Sequence, residues 1–285
     1  MDGWKEALSE RDACGVGFIA DMSGVARPEI LAWALEALGR LQHRGAVSAD
    51  AETGDGAGVL FQLPRGFFRR EAVRLGARLC HTERLAVGMA FLPAEREQLT
   101  EARRIIEETV REWPSRPGRL SVRWIGWRSV PVVLDVLGEK AAAECPAIEQ
   151  FLISSGEAPC SGERFERELY LLRKLIERRM RAAALSTYIV SLSHRTIVYK
   201  GLMVSSQLGR FYPDLRNRSF KTAFAIFHQR YSTNTLPNWR LAQPFRMLAH
   251  NGEINTLQGN RHWMRAREAD LRASVWGCLL YTSPS

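Results

Sequence analysis

Apolar positions along this chain fall into short runs and into three- and four-residue repeats, and the two patterns predict strands alternating with helices. Cys14 to Asp21 is β-like, with the turn Asp21-Met22-Ser23-Gly24 ending it. Pro28 suits a first helical position, and Leu31, Ala34, Leu35, Leu38 and Leu41 recur on one face, which predicts a helix from Pro28 to about Gln42, closed by His43-Arg44-Gly45. Val59 to Leu63 reads as a strand stopped by Pro64, Phe67 to about Leu79 as a helix, and Leu85 to Leu92 as a buried strand. Ala94 to Trp113 carries Leu99, Ala102, Ile106, Val110 and Trp113 on one helical face, and Leu120 to Trp127 reads as a further strand after the loop Pro114 to Gly118.

The middle of the chain is less regular. Between Pro131 and Cys160 only Glu139 to Glu144 suggests a short helix, and Phe165 to Met180 fits either a strand followed by a helix or one helix. Tyr188 to Leu192 and Thr196 to Lys200 then form a hairpin around Ser193-His194-Arg195. Phe224 to Phe227 and Phe245 to Ala249 read as strands, each running into polar residues at its end, His228-Gln229-Arg230 and His250-Asn251-Gly252-Glu253. Polar clusters at strand ends are where sites are commonly built. Thr53-Gly54-Asp55-Gly56-Ala57-Gly58 lacks the lysine of a phosphate loop and does not join a strand to a helix, so it reads as a structural turn beside a site.

No repeat or low-complexity linker interrupts the pattern, which predicts one domain over residues 14–270. Met1 to Ala13 holds six charged residues and no apolar core, so it reads as a pro-segment and not as a secretory signal. Residues 271–285, ending in Cys278-Leu279-Leu280-Tyr281-Thr282-Ser283-Pro284-Ser285, read as a non-native tail on a truncated frame. A chain of 285 residues with 46% hydrophobic and 25% charged content affords a sizeable core, and no apolar run approaches membrane-span length. Five widely spaced cysteines without a C-x-x-C pair suggest neither a disulfide framework nor a zinc site and fit a reducing, cytoplasmic setting. The net charge of +9 comes from arginines scattered over helices, so a basic nucleic-acid or scaffold module is the competing class.

Cys14 is the pivotal residue for chemistry. A cysteine among apolar neighbours is ordinary core material. If the chain is cut before it, however, the α-amine, titrating near about 7.7 to 8.0, supplies its own base for the thiol. Acyl transfer also needs donors at the oxyanion, each worth on the order of 3 to 4 kcal/mol. Asn251-Gly252 offers a side-chain amide and a backbone N–H, although spacing alone favours a type I′ hairpin turn. Arg230, followed by Tyr231-Ser232-Thr233-Asn234-Thr235, suits a carboxylate clamp, and reads equally as a surface ion-pair partner.

Cys14-Gly15-Val16-Gly17-Phe18, Leu41-Gln42-His43-Arg44-Gly45-Ala46, the Thr53 to Gly58 loop, Arg195 to Gly201, His228 to Thr235 and Leu248 to Thr256 stand in one order. Together they resemble the amino-terminal glutaminase domain of glutamate synthase large subunits, a class II glutamine amidotransferase. The resemblance implies an α+β fold, a four-layer αββα sandwich of the N-terminal nucleophile hydrolase type. It implies catalysis by Cys14 with an oxyanion hole at Asn251 and Gly252, and substrate binding by Arg44, Arg230 and Thr233. The substrate is then glutamine, hydrolysed through a cysteinyl thioester, with the ammonia passed to a synthase domain that aminates 2-oxoglutarate. No cofactor is expected in this stretch; FMN and an iron–sulfur cluster belong to the family's synthase domain, fed by an NADPH-oxidising small subunit or by ferredoxin. The family's ligand for the glutamine amino group lies in a later segment, so no residue takes that role. The alternatives are the same fold with a phosphosugar or aspartate acceptor, and the basic binding module.

Overall fold

In chain order the elements are β1 (Gly15–Ala20), α1 (Pro28–Arg40), β2 (Ala57–Gln62), α2 (Arg65–Arg74), β3 (Leu85–Leu92), α3 (Arg96–Glu112), β4 (Arg123–Ser129), α4 (Glu139–Ala143), β5 (Ala147–Ser154), α5 (Gly162–Ala182), β6 (Tyr188–Ser193), β7 (Thr196–Gly201), α6 (Ser205–Phe211), β8 (Phe224–Gln229) and α7 (Leu257–Glu268). The computed structural model describes residues 15–48, 50, 52–80, 83–116, 118–156, 160–229, 236–245 and 257–268. The chain divides into two compact units, residues 1–246 and 247–285. The second contains α7, with Trp263 and Met264 exposed.

Two antiparallel sheets, ordered β1-β8-β2-β7 and β4-β5-β3-β6, form the centre of the first unit. Successive side chains of a strand point to opposite faces. On β3 the alternation is complete: Val87, Met89 and Phe91 share a core with Val59, Phe61, Tyr199 and Phe227 of the first sheet. Ala86, Ala90 and Leu92 face the other way, into a core built with α3 and α5. All eight residues of β3 are buried as a result. Helix α1 packs on β1 and β8 through the stripe Ile30, Leu31, Ala34 and Leu38. The layers are therefore αββα, the expected α+β sandwich.

Several local expectations shift. Residues 147–154 form the central strand β5 in a region where the sequence suggests only a short helix, and the 165–180 stretch is part of one 21-residue helix. The Ser161 hydroxyl accepts the Arg164 N–H at its start, and Phe165, Leu169, Leu172, Ile176 and Met180 form one buried stripe along it. Phe245 lies outside any strand, and the remainder of the expected 245–249 strand falls outside the described residues, as do the leader and the tail. The arginine-rich helices carry matching carboxylates: Arg103 pairs with Glu149, Arg104 with Glu101 and Glu108, Arg111 with Glu107 and Arg179 with Glu112.

A buried polar group ties the sheets together. The Arg128 guanidinium of β4 donates to both carboxylate oxygens of Asp214 at 2.8 Å, to Gln150 Oε1 of β5 at 2.8 Å and to Glu71 of α2 at 3.1 Å. Tyr199 of β7 donates to Asp214 at 2.9 Å and accepts from Gln150 Nε2 at 2.8 Å. Burial holds the Tyr199 phenol well above its ordinary pKa, so it stays a donor. Asp214→Ala leaves the Arg128 cation buried without its main partner, and urea unfolding of that variant is expected to show a loss of about 3 to 5 kcal/mol.

Candidate active site

One end of the first sheet is a row of paired residues. Gly15 of β1 stands opposite Gln229 of β8, Gln229 opposite Ala57 of β2, and Ala57 opposite Gly201 of β7. Over this row lies the turn that follows α1, where the Arg44 N–H donates to Leu41 O at 2.8 Å and the Gly45 N–H to Gln42 O at 3.0 Å. The approach is close. A Cβ on Gly15 would stand 2.6 Å from Gln229 O and 3.2 Å from Arg44 Cβ, and one on Gly45 would stand 2.2 Å from Gln229 Nε2. At Gly15 the obstacle is backbone, which accounts for glycine there; at Gly45 it is the Gln229 side chain, which would have to shift.

The Thr53 to Gly58 loop closes the same end. Its backbone pairs with residues 46–48 through Asp55 N–H to Ala46 O at 3.0 Å and Ser48 N–H to Thr53 O at 2.8 Å. Gly54 abuts the backbone of Met203 and Val204, and Gly56 has φ +126°, a value that favours glycine. The loop thus acts as a structural turn, and it delivers the buried Asp55 to Gln229, whose Nε2 donates to Asp55 Oδ1 at 3.4 Å.

The predicted site residues divide accordingly. The structure places half-buried Arg44 against Gly15, the residue after Cys14. Cys14, Arg230, Thr233, Asn251 and Gly252 lie outside the described residues. Gly15 and Gln229, which precede or follow Cys14 and Arg230 directly in the chain, form a terminal pair across the sheet although more than two hundred residues separate them. Among the other cysteines, Cys80 is exposed, while burial pushes the Cys145 thiol up to about 12, which removes its nucleophilic form near neutrality. Among the described residues no group of three or more His, Cys, Asp or Glu side chains is arranged to hold a metal ion, and no helix is long and apolar enough to cross a membrane.

Sequence reasoning passes over Gln229 and Asp55, and over Lys200 on β7. The Lys200 side chain is buried, with Nζ donating to Arg240 O at 3.0 Å and to the Tyr188 hydroxyl at 3.3 Å. The rings of Phe245 and Tyr188 flank it at 4.3 and 4.8 Å. These contacts fasten the stretch 240–245 over β7. A lysine inside a β-rich run carries no signal of such a role; the only hint is its place in an otherwise apolar strand.

The chain matches a known family. The model for class II glutamine amidotransferases matches residues 14–283, beginning at Cys14. The chain belongs to that family. It is 46% identical over 269 residues to the glutamate synthase [NADPH] large chain of Azospirillum brasilense, covering 94% of this chain and 17% of that protein. The ferredoxin-dependent glutamate synthase 2 of Synechocystis sp. is also 46% identical over 269 residues, with the same coverage. The chloroplastic ferredoxin-dependent glutamate synthase of rice (Oryza sativa subsp. japonica) is 44% identical over 273 residues, 95% of this chain and 16% of its own length. The chain therefore spans about one sixth of the curated relatives it matches.

Burial pushes the Lys200 ammonium down to about 7 from an ordinary 10.5. Between these two values the unfolded chain binds the extra proton, so the folded state gains stability as pH rises through about 7 to 10.5 and bears the full desolvation cost below 7. Urea midpoints of wild type and Lys200→Met are expected to converge on going from pH 6.5 to pH 9.5, the wild type gaining relative to the variant.

Proposed function

We propose that this chain is the glutaminase domain of a glutamate synthase, hydrolysing the side-chain amide of glutamine and delivering ammonia for the amination of 2-oxoglutarate. The observation that carries the reading is the Gly15–Gln229 pair with the Arg44-Gly45 turn seated on it, since it draws three sequence motifs to one end of a sheet. The relatives' names support glutamate synthase over amidotransferases with a phosphosugar or aspartate acceptor.

In this reading removal of Met1 to Ala13 frees the Cys14 α-amine. The amine takes the thiol proton, and the thiolate attacks the glutamine amide carbon. The tetrahedral oxyanion is held by the Asn251 side-chain amide and the Gly252 N–H, donors that strengthen as charge develops. The proton passes to the leaving nitrogen, ammonia departs and a thioester to Cys14 remains. Water, deprotonated by the same amine, then cleaves the thioester to release glutamate and restore the thiol. Arg230 binds the α-carboxylate as a two-pronged donor with Thr233 beside it, and Arg44 holds the Cys14 end of β1. While Met1 to Ala13 remain attached, Cys14 has an amide nitrogen in place of the amine, and the base is missing.

FMN and an iron–sulfur cluster belong to the synthase part of the parent protein, which lies outside this chain. With them come the parent's electron source, an NADPH-oxidising subunit or ferredoxin, and a cytoplasmic or comparable reducing setting. The carboxylate pairing of the helical arginines supports glutamine and the synthase domain as partners in preference to nucleic acid.

The test is ammonia release from glutamine by the full-length parent, with intact mass establishing a start at Cys14. The processed wild type is expected to turn over, with kcat/KM falling as pH drops below about 7.7 and the amine protonates. Cys14→Ala is expected to abolish release. Equal rates for the two proteins overturn the reading.

A further inference from the structure

Residues 238–245 wrap the β2–β7 end of the first sheet as a strap. The Trp239 ring is buried, with Nε1 donating to Ala141 O at 3.1 Å, and a Cβ on Gly201 would stand 2.5 Å from that ring. Ala242 lies over Gly56, where a Cβ would be 3.1 Å from its own, and Pro244 lies over Gly58, where a Cβ would be 2.9 Å from Cδ. Three glycines therefore form the bed of the strap. Gly56 and Gly58 flank Ala57, and Gly201 is paired with Ala57, so the bed adjoins the row of paired residues that carries the candidate site.

The strap closes over a cation. Lys200 Nζ donates to Arg240 O of the strap and to the Tyr188 hydroxyl of β6, between the rings of Phe245 and Tyr188. Among the described residues no carboxylate pairs with it. β6 presents the Tyr188 phenol, which burial pushes up to about 12 and keeps neutral. The strap presents the Arg240 guanidinium, itself 5.7 Å from the Tyr188 ring. In α5, near Tyr188, the Glu177 carboxylate is held by Arg173 at 3.3 Å and by Lys174 at 3.4 Å. On the same face of the first sheet His228 stands two strands from Lys200, with Gly58 between them, at about 10 Å. A buried ammonium given rings and a carbonyl but no counter-charge is disfavoured in its charged form, which is why burial pushes Lys200 down to about 7.

We infer that residues 238–245 are an acid-released strap, closed over a neutral Lys200 and lifted when water reaches that amine and protonates it. The closed strap excludes the water that a charged lysine needs. Opening restores that water, so it is coupled to the uptake of one proton from solvent, and the opening constant rises by up to about tenfold for each pH unit lost above 7. Nothing in this coupling requires glutaminase chemistry, so it stands or falls separately from that reading.

The test is peptide-resolved hydrogen exchange on the full-length parent, read as the opening constant of the strap after correction for intrinsic exchange. The Leu241 and Ala242 N–H groups, both bonded to Asn238 O at 3.2 Å, report on the strap. In the wild type the opening constant is expected to be roughly tenfold or more higher at pH 6.5 than at pH 8.5. Lys200→Met removes the titrating group, and Lys200→Arg keeps its charge at both pH values, so both straps are expected to open independently of pH, the Arg variant more readily than the Met. A lysine with a merely structural role would alter protection in the variants without removing the slope. Should one variant fail to fold, the other carries the test, and where neither folds the wild-type profile decides it. A wild-type opening constant that is equal at the two pH values, a slope that persists in a folded variant, or a strap at pH 6.5 as well protected as β3, opening only with the whole fold, overturns the inference.

Discussion

The arrangement of the site depends on the antiparallel pairing of β1 with β8. Six register pairs run from Gly15–Gln229 to Ala20–Phe224, and they close a loop of more than two hundred residues. Closing so long a loop costs only slightly more entropy than closing one of half the length, because the cost grows logarithmically. What has to be supplied is local fit. The inward face of β1 offers little side-chain mass, since Gly15 and Gly17 leave room for Arg44, Gln229 and Phe227. The strand is held mainly by its ladder with β8 and by its packing against α1, and Val16 and Phe18 on the face away from Gly15 and Gly17 are exposed. The first sheet therefore trades apolar burial at its edge for close backbone approach.

The second sheet follows the opposite rule. Its central strands β3 and β5 are buried on both faces, and the Glu149 carboxylate of β5 is paired with Arg103 of α3. Arg128, Asp214, Tyr199 and Gln150 join the sheets through charge-assisted bonds in a place where an unpaired charge would be severely penalised. This rigid half supports the more open edge that carries the candidate chemistry.

How much was legible in the sequence follows from where each residue finds its partner. Leu85 to Leu92 is recovered to the residue because both of its faces are buried and the run is apolar throughout. The α1 and α3 stripes are equally local signals. Strand β5 was hidden because Glu149 and Gln150 interrupt it, and the arginines that accommodate them come from α3 and β4. For α5, the strand-like start at Phe165 to Leu171 conceals a helix whose stripe becomes clear only over its full length. At the site, Arg44 and the terminal glycines were legible as motifs. Gln229 was not, since a glutamine between His228 and Arg230 resembles any polar strand end, and its significance depends on Asp55 and Gly15 folding beside it.

Strand order has a consequence in time. Among the described residues β1 is bonded to β8 alone, and β8 is made more than two hundred residues later. At synthesis rates of about 5 to 20 residues per second, the first strand waits roughly 10 to 40 s for its neighbour. Strand β1 is thus among the first parts synthesised and among the last to be docked. A ribosome-bound chain keeps Gly15 apart from Gln229 until β8 has left the exit tunnel.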